Sequence, residues 1–436
     1  MHSIGIDIGT SSICGLVYNP ETKVSKSVTK INHSAIQTPY DYEQMQDPDT
    51  IVGIVERILD GFTANYADIK NIGVTGQMHG ILYVDAAGNA VSPLYTWQDM
   101  RGNLLYDGSL TYVQYLSAQT GHDLATGYGL VTHFYNMKNR LIPATAVKIC
   151  TIMDYTVMKL TGRVTPLTDY SNAASFGFFD VEHLYFDTKA LVKIGIDASV
   201  LPETGESATL AGYYRQAIAV YSAIGDNQAA FLGSTEQIIP AAMHITIGTG
   251  SQFSVYSPTY FKVKSLDTRP FPGGGYILVG ASLCGGQSFA ILKTFFESVL
   301  QLFKIPELSH SEMYNIMTSV VLGQLTEDLP VVETLFNGSR SEPSKRGSIS
   351  NISSGNLKAD KLIIAFLKGV AEELYHFHDV LPEEIKTAGN RLVGSGNGLK
   401  KNPLLVKLCE ELFHCKLEFS KHEEEAAFGA CLCGGL

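Results

Sequence analysis

Cysteine pairs, basic charge and long apolar runs are all scarce in this chain of 436 residues, and each scarcity closes off a class of protein. The seven cysteines (14, 150, 284, 409, 415, 431 and 433) are scattered, odd in number and form no CxxC, so neither a disulfide framework nor a structural zinc is expected. Reduced thiols in a cytoplasm are the plain expectation. No apolar run approaches the roughly 18 residues that span a bilayer, and no basic segment followed by an apolar one opens the chain, so a soluble protein without a membrane partner is expected. Lys and Arg number 32 against 43 acidic residues, a formal net charge of −11, which argues against a nucleic-acid partner held by counterion release. There is no GxxxxGK[ST], and Gly248-Thr249-Gly250 does not extend to GxGxxG, so neither a P-loop nor a dinucleotide fingerprint is present.

What the chain does have is a repeated strand–turn unit. Ile4, Ile6 and Ile8 alternate with Gly5, Asp7 and Gly9, the period of a strand, and the strand runs into Gly9-Thr10-Ser11-Ser12. Such a turn of small residues offers backbone N–H groups and hydroxyls to a phosphate, and Asp7 beside it suits a divalent cation. Near residue 245 the pattern returns as Ile245-Thr246-Ile247-Gly248-Thr249-Gly250, with Thr246 where the first copy has Asp7. A third strand-to-glycine turn, Gly394-Ser395-Gly396-Asn397-Gly398, opens a helix.

Length alone suggests two domains of about 200 residues. We expect an α/β chain divided at 1–240 and 241–436, with a mostly helical insertion over about 102–215. Strands are expected at Ile69–Thr75, Ala217–Ile224, 244–256 and Arg391–Val393, and helices at 49–62, from Ala229, after Gly285-Gly286-Gln287 to about Phe303 and over Ala359–Val380. Residues 337–358, rich in Ser, Gly and Asn, read as a long loop or twisted hairpin. Asn402-Pro403 opens a helix with a cap and a proline at its first position, and Ser420 with Glu423 has the capping-box spacing before the last helix.

In order, Asp7-Ile8-Gly9-Thr10-Ser11-Ser12, Gly76-Gln77-Met78-His79-Gly80, Trp97-Gln98-Asp99-Met100-Arg101, Gly225-Asp226-Asn227 and Ile247-Gly248-Thr249-Gly250 resemble the motifs of the FGGY carbohydrate kinases across the whole chain. The runs Ser92–Gly102 and Gly396–Leu404 look most like that family's sedoheptulokinase branch. The resemblance implies two ribonuclease-H-like lobes of the actin/hexokinase/Hsp70 type with a cleft between them. It further implies ATP and Mg2+ as cofactors, and transfer of the γ-phosphate to a terminal ketose hydroxyl, sedoheptulose first. The alternatives are another ketose or polyol (xylulose, ribulose or a glycerol-like acceptor), or a catalytically silent sugar-binding protein on the same fold.

Carried over residue by residue, the resemblance makes Asp226 the general base, a role a carboxylate after a strand can perform, although a helix N-cap suits it equally on sequence grounds. Gln77, Met78, His79 and Asn227 would touch the sugar. Trp97, the only tryptophan, suits either a sugar face or a buried core anchor, and Asp99 with Arg101 either binds sugar or braces the loop. Asp7 would position magnesium. Thr10, Ser11, Ser12, Gly248 and Thr249 would hold phosphates, with Gly394, Gly396, Asn397 and Asn402 on the adenosine part and Gly286 with Gln287 on the same side. The stretch Val131–Asn139 departs from the family pattern, which leaves either an altered pocket or a structural segment. Homodimerisation stays open.

Overall fold

A computed structural model of the chain describes residues 1–239, 241–320, 328–338, 344–388 and 391–434. They form two compact units. The first comprises Met1–Gln237, Arg269–Gly275 and His422–Leu436, and the second Ile238–Thr268 and Tyr276–Lys421, so segments are exchanged across the expected break at 240/241. Residue 240 itself lies outside the described residues.

In the first unit the strand His2–Ile8 is central. It pairs antiparallel with Ser12–Asn19, which pairs antiparallel with Val24–Ile31, and on its other side it runs parallel to Ile69–Gly76. Beyond lie Ile218–Tyr221 and Leu210–Tyr214, and the short strand Ile224–Gly225 also runs parallel to Ile69–Gly76. Ile4, Ile6 and Ile8 are fully buried in one core with Ile51, Val55, Ile58 and Leu59 of helix Pro48–Asn65. That helix is capped by Asp47, whose side chain accepts from the Thr50 N–H, one residue ahead of the expected entry at Pro48–Asp49.

The opposite face of the strand is covered because it lacks side chains. A Cβ at Gly5 or at Gly73 would overlap the carbonyls of Ala427 and Ala430 in helix Glu425–Cys433. The same helix crosses Asp226–Thr235 where a Cβ at Gly233 would overlap the Glu425 carbonyl, and one at Gly429 that of Ala229. Glycine is required at these crossings by space, and they explain why the last helix belongs to the first unit. The expected capping box at Ser420 and Glu423 is not formed. The helix starts at Glu425, with Glu424 at the cap position and no side-chain cap bond, too late for Ser420 to reach.

The expected insertion is mixed rather than helical. Helices Tyr112–Thr120, Gly129–Lys138, Ile152–Thr161 and Thr188–Ile194 alternate with short strands such as Lys148–Cys150 and Leu167–Asp169, and its last strand, Leu210–Tyr214, joins the main sheet.

The second unit repeats the arrangement. Met243–Ile247 pairs antiparallel with Ser251–Ser257, which pairs antiparallel with Tyr276–Ser282, while Leu392–Ser395 runs parallel to the first of these and Leu417–Phe419 follows. The expected single strand 244–256 is thus two strands joined at Gly248–Gly250. The copies agree in register: Asp7 lies opposite Thr75 in one, Thr246 opposite Ser395 in the other. Gly76 ends the first parallel strand and Gly396 follows the second, and a Cβ on either would come within 2.5 Å of the carbonyl oxygen of Ile8 or Ile247. Of the segment 337–358, residues 339–343 lie outside the described residues, and Ser348–Ser350 pairs antiparallel with Val331–Glu333. Among the described residues no helix is long and apolar enough to cross a membrane, and none of the seven cysteines is joined in a disulfide.

Candidate active site

Three parallel strand ends build the centre of the first unit. Ile8 is opposite Gly76, and Gly76 is opposite Gly225, so Asp7 and Asp226 emerge on the two sides of one strand at the same end of the sheet. Both carboxylates are half-buried. Burial, then the nearby charges of Asp226 and Glu424, push the Asp7 carboxyl up to about 7. Burial also raises Asp226, while Arg269 and hydrogen bonds from Asn227 hold it down. Asp226 is not the cap of its helix: Gly225 occupies that position without a side-chain bond, leaving the carboxylate in the first turn, where the helix dipole favours negative charge. Asn227 Nδ2 donates to Asp226 Oδ1 at 2.8 Å.

Trp97 is 47% exposed, so a buried core anchor is ruled out. Its indole N–H donates to Thr10 Oγ1 at 3.0 Å, which ties it to the first glycine turn. His79, with φ of 73°, is held by its backbone N–H to Ser175 Oγ, donates from Nδ1 to the Ser175 carbonyl at 2.9 Å, and stacks on Tyr128 at 4.8 Å. The half-buried His79 and Asn227 therefore remain as candidate sugar contacts beside Trp97 and Asp226.

Other expected sugar contacts need correction. Met78 is buried, with its sulfur and methyl packed beneath Gly225, and carries the loop from below. Gln77 is buried too, its amide engaged with Gln46 and Thr10. Asp99 is fully buried in a two-point pair with Arg101, Nε to Oδ1 at 2.6 Å and Nη2 to Oδ2 at 2.9 Å, and also accepts from the Gln44 N–H. Arg101 further donates to Asn136 at 2.7 Å and lies over the Tyr95 ring, so the pair braces the loop. The unusual stretch Val131–Asn139 supplies that brace. It is helical through Lys138, with His133 buried, hydrogen-bonded to Tyr83 and lowered to about 4 by burial.

Ser11 and Ser12 are exposed and Thr10 half-buried, on the turn that ends beside Asp7. In the second unit the Gly286 N–H donates to the Gly248 carbonyl and the Gln287 N–H to that of Thr249, each at 2.9 Å, which seats helix Gly285–Leu302 on the second glycine turn. Gly248 and Thr249 are exposed, as is Asn397, and Gly396 has a left-handed φ of 86°. Gly394 is buried beneath them. Asn402 caps helix Pro403–Phe413 as expected, accepting from the Leu405 N–H, and its burial there takes it away from the adenosine part. Thr246, in place of the first copy's carboxylate, meets Ser395 Oγ at 2.7 Å.

Residues 2–233 match the N-terminal domain of the FGGY family of carbohydrate kinases and residues 243–436 match its C-terminal domain. The chain belongs to the FGGY family. It is similar to the sedoheptulokinases of Mus musculus and Homo sapiens, at 28% and 26% identity over 99% of this chain and 96% of each relative. It also resembles a Lactococcus lactis xylulose kinase at 24% identity, over 98% of this chain and 86% of the relative. Its fold matches the crystal structure of a xylulose kinase from Rhodospirillum rubrum with a TM-score of 0.84 at 18% identity, over all of this chain and 89% of that one. As an FGGY kinase it is a phosphotransferase that uses ATP and a sugar with an alcohol group as acceptor.

Two site residues were not singled out from sequence. Glu424 lies close enough to Asp7 to raise it, yet in sequence it reads as an ordinary acidic helix start. Gln46 meets both Thr10 and Gln77, and nothing in its own neighbourhood of the FGGY chain marks it. Among the described residues no three metal-binding side chains gather into a cage. Magnesium keeps most of its waters and takes one or two carboxylates together with phosphate oxygens. A crowded Asp7, raised by burial and then by two neighbouring carboxylates, fits that manner of binding.

Proposed function

We propose that this FGGY kinase phosphorylates a terminal hydroxyl of a ketose, sedoheptulose first, with Asp226 as general base. The observation that carries the reading is the placement of Asp226 one strand away from Asp7 at the end of a sheet whose first turn offers phosphate donors. A base and a phosphate-proximal carboxylate are thereby held on one rigid frame. The sedoheptulokinases among its relatives support the choice of sugar.

Asp226 accepts the proton of the attacking hydroxyl. It must therefore be ionised in the resting enzyme, and the Arg269 charge and the Asn227 amide both favour that form against burial. The Asn227 donor at 2.8 Å also fixes the carboxylate plane, so the base is oriented before the sugar arrives. Trp97 presents a half-exposed aromatic face to the carbons of the sugar, and His79 a ring held in place by Tyr128 and Ser175. Backbone N–H groups of Thr10–Ser12 and the hydroxyls of Ser11 and Ser12 hold phosphate, and within the second unit Gly248, Thr249, Gly396 and Asn397 are the turn positions open to a nucleotide. Asp7 would hold Mg2+, which neutralises charge on the phosphates when bound.

The test is ADP release over a panel of sedoheptulose, xylulose, ribulose and glycerol. The reading expects the highest kcat/KM with sedoheptulose. Preference for another acceptor moves the substrate and keeps the mechanism, whereas stimulation by none overturns both.

A further inference from the structure

Gln46 sits in the short strand Met45–Gln46, paired on one side with Ala35 and on the other with Leu94. The next residue, Asp47, caps helix Pro48–Asn65 and donates its own N–H to the Ser34 carbonyl. The backbone of Gln46 is therefore pinned on three sides, and its side chain is buried.

That side chain starts a closed run of polar contacts. Its Nε2 donates to the Thr10 carbonyl at 2.8 Å, and its Oε1 accepts from Gln77 Nε2 at 2.8 Å. Gln77 Oε1 in turn accepts from Thr10 Oγ1 at 3.4 Å, and Thr10 Oγ1 accepts from Trp97 Nε1 at 3.0 Å. Chemistry dictates the direction of every bond. A carbonyl can only accept, so Gln46 must turn its NH2 to Thr10, and an indole N–H can only donate, so the Thr10 proton must go to Gln77. Both amides are thus locked in one orientation, and Thr10 is gripped through its backbone and its hydroxyl at once.

The run begins inside the fold and ends on a half-exposed ring. We infer that Gln46 is a positioning residue that joins Trp97 on the sugar side to the Gly9–Ser12 phosphate turn, so that sugar and nucleotide bind with positive coupling. This rests on the kinase reading for the identity of the two ligands. A sugar stacked on Trp97 steadies its N–H on Thr10, and Thr10 sets the aim of the turn's backbone donors; by linkage the nucleotide returns the same factor to the sugar.

The test uses Gln46→Met, which keeps the volume and removes both amide groups, and Trp97→Phe, which cuts the run at its outer end where folding carries no burden. ADP affinity is measured by calorimetry for each, without sugar and with sedoheptulose or the panel's most active ketose. The emission of Trp97, the only tryptophan, is followed as ADP is added to the wild type and to Gln46→Met. In the wild type sugar should tighten ADP binding about tenfold, the scale of one or two hydrogen bonds. Either substitution should abolish that factor, their effects should not multiply when combined, and Gln46→Met should suppress the change in Trp97 emission. Should Gln46→Met fail to fold, Trp97→Phe decides alone. A coupling factor and an emission response that survive the substitutions overturn the inference while leaving the kinase reading in place. A wild type that phosphorylates no sugar overturns the kinase reading, and the emission response to ADP alone then decides whether Gln46 holds the turn.

Discussion

Asp7 and Asp226 leave the same end of one sheet, separated by the single strand Ile69–Gly76 whose last residue, Gly76, is opposite Ile8 on one side and Gly225 on the other. Burial and then the Asp226 charge raise Asp7, and Glu424 adds to that cost. A fold selected only for stability would not collect negative charge at a buried strand end. Such crowding is what a site for a cation and for proton abstraction requires.

The crowding gives a signed prediction for stability. Because the folded Asp7 carboxyl titrates near 7 rather than at 3.8, the folded protein holds a proton that the unfolded chain releases earlier. Its stability without ligands is therefore highest below pH 4 as far as this group is concerned and is lost as the pH rises toward 7. A shift of this size is worth on the order of 4 kcal/mol before solvent screening, so Asp7→Asn should stabilise the ligand-free protein at pH 8 by about 2 kcal/mol while depressing kinase turnover. Denaturant unfolding at pH 5 and pH 8 measures it; an equal effect at both would contradict the assignment.

Arg269 is the counterweight at Asp226. Arg269→Gln removes a positive charge that favours the ionised base, so the acid limb of the kcat/KM profile should move to higher pH. A limb that stays in place would show that Arg269 does not set the ionisation of the base.

The brace behind Trp97 should behave as structure. Asp99→Ala leaves Arg101, 1% exposed, with only the looser Glu43 carboxylate at 3.9 Å and should destabilise the first unit by about 3 kcal/mol. Adding Arg101→Met should recover part of that loss. Full stability of the single variant in denaturant unfolding would instead argue that the pair is solvated and open to substrate.

Period and motif made the frame legible: Ile4, Ile6 and Ile8 announce the first strand, the Gly-Thr turns announce the duplication, and the register of Asp7 with Thr75 and Thr246 with Ser395 matches it. The direction of a side chain was not legible. Met78 and Gln77 occur in motif positions yet are buried in a packing contact and an amide pair, because a loop residue one or two places from the half-buried His79 can face inward, whereas the Asn402 cap and the Asp99–Arg101 brace were among the readings the sequence allowed. Long-range partners were equally hidden. Glu424 is separated from Asp7 by most of the chain, and the glycine crossings at Gly5, Gly73, Gly233 and Gly429, with Phe428 and Cys431 packed on Cys14 and Leu16, bring its helix to the site.

The most direct measurement is turnover of Asp226→Asn with the preferred ketose, paired with calorimetric binding of that sugar. An amide of the same shape keeps the hydrogen-bonding outline of the site and cannot take the proton, so kcat should fall about 100- to 10,000-fold while the sugar Kd changes by no more than a few-fold. Turnover within a few-fold of the wild type would remove Asp226 as the base and with it the proposed chemistry.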